Sequence, residues 1–142
     1  MAITQAVANS FKTEVLTAVH NFTVTTGDTF KIALFTSSAT LSKSTTAYSA
    51  TNEVSGTGYS SGGNTLTSVT PALSTDTACC DFSDSSWTTA TITARGALIY
   101  NSSQSDKAVV VLDFGGDKTS TAGTFTIQFP AADASNAILR LA

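Results

Sequence analysis

The chain is short of charge. Lys, Arg, Asp and Glu make up 12% of its 142 residues and leave a net charge of −3. The seven Lys and Arg residues are scattered, so the basic footprint that nucleic-acid binding requires is missing. Long apolar runs are missing too. None approaches the ~20 residues of a membrane span, and the first residues lack the basic, apolar and cleavage-site regions of a secretory signal. The expectation is a soluble protein made in the cytoplasm, with neither nucleic acid nor membrane as a partner. The length suits a single domain spanning residues 1–142 with a core of its own.

Reactive side chains are equally few. The two cysteines are neighbours, Cys79 and Cys80. On a strand they face opposite sides, and a disulfide between adjacent residues closes a strained ring. Two free thiols are therefore expected, one buried and one more exposed, with an intermolecular bond through the exposed thiol as the alternative. No metal-site spacing is present. His20 is the single histidine. It stands where a helix would end, a position that favours it electrostatically as a capping or packing group. No Ser-His-Asp or Cys-His signature accompanies it. No catalytic residue, cofactor or metal is assigned, and the chain is not expected to be an enzyme.

Ser and Thr, by contrast, supply about a third of the residues, well above the ordinary share. The apolar fraction is nonetheless normal at 42% and proline occurs twice, which argues against a mucin-like stalk. Thr is β-branched and suits strands.

Two periods organise the chain. Ile3, Val7, Phe11, Val15 and Val19 recur every four residues, widened by Ala6, Ala8 and Leu16, while Asn9, Lys12 and Glu14 fall off the stripe. That predicts an amphipathic helix of about four turns within residues 1–22. It covers its own sheet or docks on a partner subunit. From Phe30 the period is two: "FKIALF", "TATITARGALIY", "AVVVLDF", "GTFTIQF" and "AILRL", punctuated by the turn signals "TTGD", "YNSSQSDK", "GGDKTSTAG" and "FPAADASN". The fold class is mainly β. It is an antiparallel β-sandwich of jelly-roll type, or a small barrel, over residues 30–142 with one N-terminal amphipathic α-helix.

Residues 36–65 form a long polar excursion anchored by Leu41, Tyr48, Val54 and Tyr59. Connections of that length are usually functional or partly mobile. One short strand, around Glu53 to Gly58, is the most it is expected to hold. Tyr48, Asn52, Glu53 and Tyr59 are its candidate surface residues. Gly56 and Gly58 begin a G-x-G pattern, but Gly62 comes one residue too late for a dinucleotide fingerprint, and "NTLTSV" after it reads as strand. These glycines make turns.

The paired acids Asp81/Asp84 and Asp113/Asp117 lack calcium-loop spacing and read as turn formers. Phe30, Phe35, Phe125 and Phe129 alternate within strands and read as core. Trp87 with the tyrosines could form an aromatic platform for a sugar, though packing accounts for them equally.

Three stretches together, "MAITQAVANSFKTEVLTAVHNF", "FKIALFTSSATLSKSTTAYSATNEVSGTGYSSGGN" and "ARGALIYNSSQSDKAVVVLDFGGDKTSTAGTFTIQFPAADASNAILRLA", resemble a family of small structural proteins of tailed bacteriophages. The block "TAYSATNEVSGTGYSSGGN" is the most specific part. The resemblance implies a non-enzymatic virion component made in the host cytoplasm. As a capsid decoration or cement protein it would bind the particle as repeated, homo-oligomeric copies. Its partners would be other virion proteins, either the major capsid protein or neck and tail proteins. A neck or tail component, or a host-glycan adhesin, is the alternative. The resemblance supplies no catalytic residues.

Overall fold

A computed structural model describes residues 2–142. In chain order the elements are β1 (Ala6–Val7), α1 (Asn9–Leu16), β2 (Phe30–Phe35), β3 (Asn64–Thr65), β4 (Ser68–Ser74), β5 (Thr77–Phe82), β6 (Ser85–Asn101), β7 (Lys107–Ile127) and β8 (Leu139–Leu141). Every strand pairing is antiparallel. They build a five-stranded sheet, β1-β7-β6-β2-β3, and a three-stranded sheet, β4-β5-β8. The arrangement is the sandwich of the two expected; the strands do not close into a barrel.

β2 is the strand the sequence describes best, and both its faces are covered. Phe30, Ile32, Ala33, Leu34 and Phe35 are all buried. On one face Phe30 stacks on Phe22, with centroids 4.3 Å apart, and meets Phe82 of β5 at 5.8 Å, which joins the two sheets. Truncating such a buried Phe costs about 3–5 kcal/mol. The other face follows from register. Tyr100 pairs with Lys31 and Gly96 with Phe35, so alternation puts these four on one side. Ile3 lies directly over Gly96, where a Cβ would come within 2.9 Å of its side chain, and Tyr48 stacks on Tyr100 at 4.6 Å. The N-terminal arm and the polar excursion therefore cover this face.

The helix is half the expected length. Ile3 makes a parallel bridge to Leu41, and Ala6 and Val7 pair with Val111 and Val110. The helix then runs eight residues and stops. It ends in a Schellman turn: Ala18 N–H bonds to Val15 O and Val19 N–H to Glu14 O, with Ala18 left-handed at φ 61. The stripe Ile3, Val7, Phe11, Val15 and Val19 is thus one strand-like arm, one short helix and a loop. Ile3 and Phe11 are buried, and Val7 and Val15 pack partly against the core. Val19, past the turn, is half-buried. The first four of these pack against the chain's own core, and Val7, Phe11 and Val15 also border an open groove.

"GGDKTSTAG" is not a turn. It lies inside β7, which pairs with β6 from Lys107 to Ile127 through several bulges. Left-handed residues at Gly115 (φ 79) and Ala122 (φ 46) bend the strand there. Ser and Thr across the ribbon bond to one another, Ser86 to Thr126 at 2.9 Å and Thr93 to Thr119 at 3.0 Å.

Candidate functional site

Glu53 organises the polar excursion. Its backbone bridges to Phe35, and Val54 N–H bonds to Leu34 O. Its carboxylate then accepts four hydrogen bonds. Oε2 takes the Tyr48 hydroxyl at 2.6 Å and the Ser61 hydroxyl at 2.9 Å. Oε1 takes the Tyr59 hydroxyl at 2.6 Å and Gly62 N–H at 2.8 Å. All the lone-pair sites of the carboxylate are in use.

Two further contacts lock this cluster to the sheet. Tyr100 donates to Gly62 O at 2.7 Å, and Leu34 N–H donates to the Tyr59 oxygen at 2.9 Å. β3 pairs only with Lys31 and Ile32, so beyond it Tyr59 and Val54 satisfy the edge of β2 in place of a strand. Gly62 (φ 94) and Gly63 (φ 75) make the close turn; a Cβ at Gly63 would sit 1.8 Å from Ile32 O. Burial and then the bond to Glu53 raise the pKa of Tyr48 and Tyr59, and burial raises that of Tyr100. The phenols stay protonated as donors.

Of the candidate surface residues, Tyr48, Glu53 and Tyr59 converge here and face inward. Asn52 does not join them. It stands exposed at the preceding turn (φ 61), donating to Ser38 O at 3.2 Å. Trp87 is 4% exposed, stacked on Tyr59 and met edge-on by Phe125, so it offers no open ring to a sugar.

A second network, invisible in the sequence, forms on the opposite face around His20. The imidazole is fully buried and lies 4.9 Å from the Phe11 ring. Nε2 meets Glu14 Oε1 at 3.0 Å and Nδ1 meets Asn101 Nδ2 at 3.0 Å. Asn101 is locked at both ends: its oxygen accepts Ser103 N–H, and Nδ2 also donates to Asp28 Oδ2 at 2.8 Å. An amide nitrogen has no acceptor capacity, so Nδ1 accepts and Nε2–H donates to Glu14. Burial pushes the Asp28 pKa up, but bonds from Asn101, Asn21 N–H and Gln104 outweigh it and hold the carboxyl below its ordinary value. His20 is therefore a buried packing group, not a helix cap. With both nitrogens engaged it has no free position for a substrate proton.

Of the paired acids, Asp81 is buried in β5. Asp113 lies at a β7 bulge, where it accepts Gly115 N–H and pairs with Arg95 at 3.1 Å. Both cysteines are free thiols, Cys79 buried and Cys80 half-buried.

An apolar groove of 410 Å³ opens between α1 and the three-stranded sheet. Phe11, Val15 and Leu16 line one side and Cys80, Leu139 and Leu141 the other, with Lys12 and Arg140 also on its wall. Among the described residues no helix is long and apolar enough to cross a membrane. Comparisons with protein-family models, curated proteins and solved structures found no match to this chain.

Proposed function

We propose that this chain is a non-enzymatic structural protein of a tailed-bacteriophage virion, a capsid decoration or cement protein carried as repeated copies on the particle surface. The observation that carries the reading is the saturated Glu53 carboxylate, with its four donors all from the chain itself. The block with the most specific family resemblance is the one that builds this fastening. Its polar groups make a long excursion rigid and leave none of Glu53's bonds for a ligand. The buried His20 network acts in the same sense on the other face, fixing residues 20–28 to the β6–β7 turn. A rigid, weakly charged module suits a role in which shape is the product and many modest contacts sum over a symmetric shell.

The test is copy number per virion, measured by quantitative mass spectrometry against the major capsid protein. A count in the hundreds, stoichiometric with the lattice, supports decoration. About six or twelve copies would move the protein to the neck or tail axis. Absence from purified particles would remove the structural reading. Turnover abolished by His20→Ala would replace it with an enzyme. The buried Trp87 withdraws support from the glycan-binding alternative.

A further inference from the structure

Among the described residues, three of the four exposed large apolar side chains gather around one part of the molecule. Leu16 (79% exposed) and Leu141 (65%) border the groove between α1 and β8, and Leu73 (74%) stands on the β4–β5 hairpin. The hairpin is an exposed arm. Thr70, Pro71, Ala72 and Leu73 are exposed in succession, so neither face of β4 is covered there. Its two-residue tip, Thr75–Asp76, closes the pair Ser74–Thr77. Asp76 is in no ion pair among the described residues.

The groove carries the opposite pattern. Beside its apolar floor stand Lys12 and Arg140, two cations of an acidic chain, neither in an ion pair among the described residues. Lys12 makes only a 3.4 Å bond to Asn9 Oδ1. The Arg140 bonds to Ala134 O and Ser135 O use a single nitrogen, Nη1. A groove facing its own copy would set these cations against each other. The hairpin tip offers instead a leucine and, three residues on, a carboxylate.

We propose that the groove receives the β4–β5 arm of a second copy of this chain, with Leu73 entering between Leu16 and Leu141 and Asp76 lying against Lys12 and Arg140. Pro71 and Ala78 of the same hairpin border the groove, so arm and groove are adjoining surfaces, and their contact closes as a reciprocal pair or a ring, or runs on as a filament where the rotation does not close. It covers the three exposed leucines with one interface and brings a carboxylate to Lys12 and to Arg140, whose charge acts within its own chain on Asp133. The inference concerns the isolated chain and does not depend on the virion reading.

Light scattering on the purified protein over a concentration series tests it. Self-association is expected, weakened about tenfold by Leu73→Ser and several-fold by either Lys12→Glu or Asp76→Lys. The double variant Lys12→Glu with Asp76→Lys is expected to recover most of the loss. All three side chains are exposed, so the monomer fold, followed by circular dichroism, stays unchanged. A chain that remains monomeric at every concentration overturns the proposal. So does association indifferent to these substitutions, or charge variants that weaken it singly without recovering together.

Discussion

The phenol oxygen of Tyr59 stands between two strangers in sequence. It accepts Leu34 N–H at 2.9 Å and donates its proton to Glu53 Oε1 at 2.6 Å. One hydroxyl thus closes a strand edge and holds the carboxylate that fastens the excursion.

Tyr59→Phe removes both bonds and leaves Leu34 N–H without its acceptor. The expected cost is about 2–3 kcal/mol, read by urea denaturation. Tyr48→Phe should cost less, about 1 kcal/mol, because Ser61 still donates to the same carboxylate oxygen. Equal effects would contradict the assignment of the edge-closing role to Tyr59.

Ala18 sits where a helix of this kind usually has glycine. An L-residue at φ 61 carries a steric cost there. Ala18→Gly relieves it and is expected to stabilise the fold by about 0.5–1 kcal/mol, despite the greater freedom of glycine in the unfolded chain. A fall in melting temperature would count against the turn.

Asp81 is 1% exposed, and its Oδ2 has no hydrogen-bond partner. Burial raises its pKa above the ordinary 3.8, outweighing the bonds it accepts from Phe82 and Ile138 N–H. A raised folded-state pKa gives stability that is complete below the unfolded value and is lost as pH rises through the folded one. The ionised group therefore weakens the fold at neutral pH. Asp81→Asn should raise the melting temperature at pH 7, and the gain should vanish below about pH 4.

Cys80 is half-exposed yet poorly reactive. Burial, and then the charge of Asp81, push its thiol up to about 12, so almost none is thiolate at neutral pH. Maleimide or disulfide reagents should label neither cysteine of the native protein at pH 7.5 on the timescale of a free thiol. Both should label fully in urea.

Some of this was legible and some was not, for physical reasons. "FKIALF" was read to the residue as β2, because a strand buried on both faces shows as a dense apolar run. Cys79 and Cys80 fell as alternation requires. The sequence overstates the helix because Ile3, Val7, Phe11 and Val15 meet the core from both a strand-like arm and a short helix, Val19 continues the period from a loop, and no glycine marks the end at Ala18. "GGDKTSTAG" mimics a loop because its three glycines stand beside Asp117 and Ser120, all turn formers, whereas Thr pairing across the ribbon keeps it extended. The strands β4 and β5 around Pro71 and Cys79 were scarcely signalled, since the arm has no buried face at Thr70–Leu73. The Glu53 and His20 networks had no local signature. The contact between Asn101 and His20 spans 81 residues of chain, and only the fold brings such groups together.

The bends in β7 have a consequence for how the protein behaves when crowded. Beyond Val111 no strand among the described residues pairs with its outer edge, and a long open edge invites sheet-to-sheet polymerisation. Gly115 and Ala122, both left-handed, break that edge into lengths too short and too misaligned for a neighbour to zip onto. The outer edge of β7 is then a poor template for the strand of a neighbouring copy.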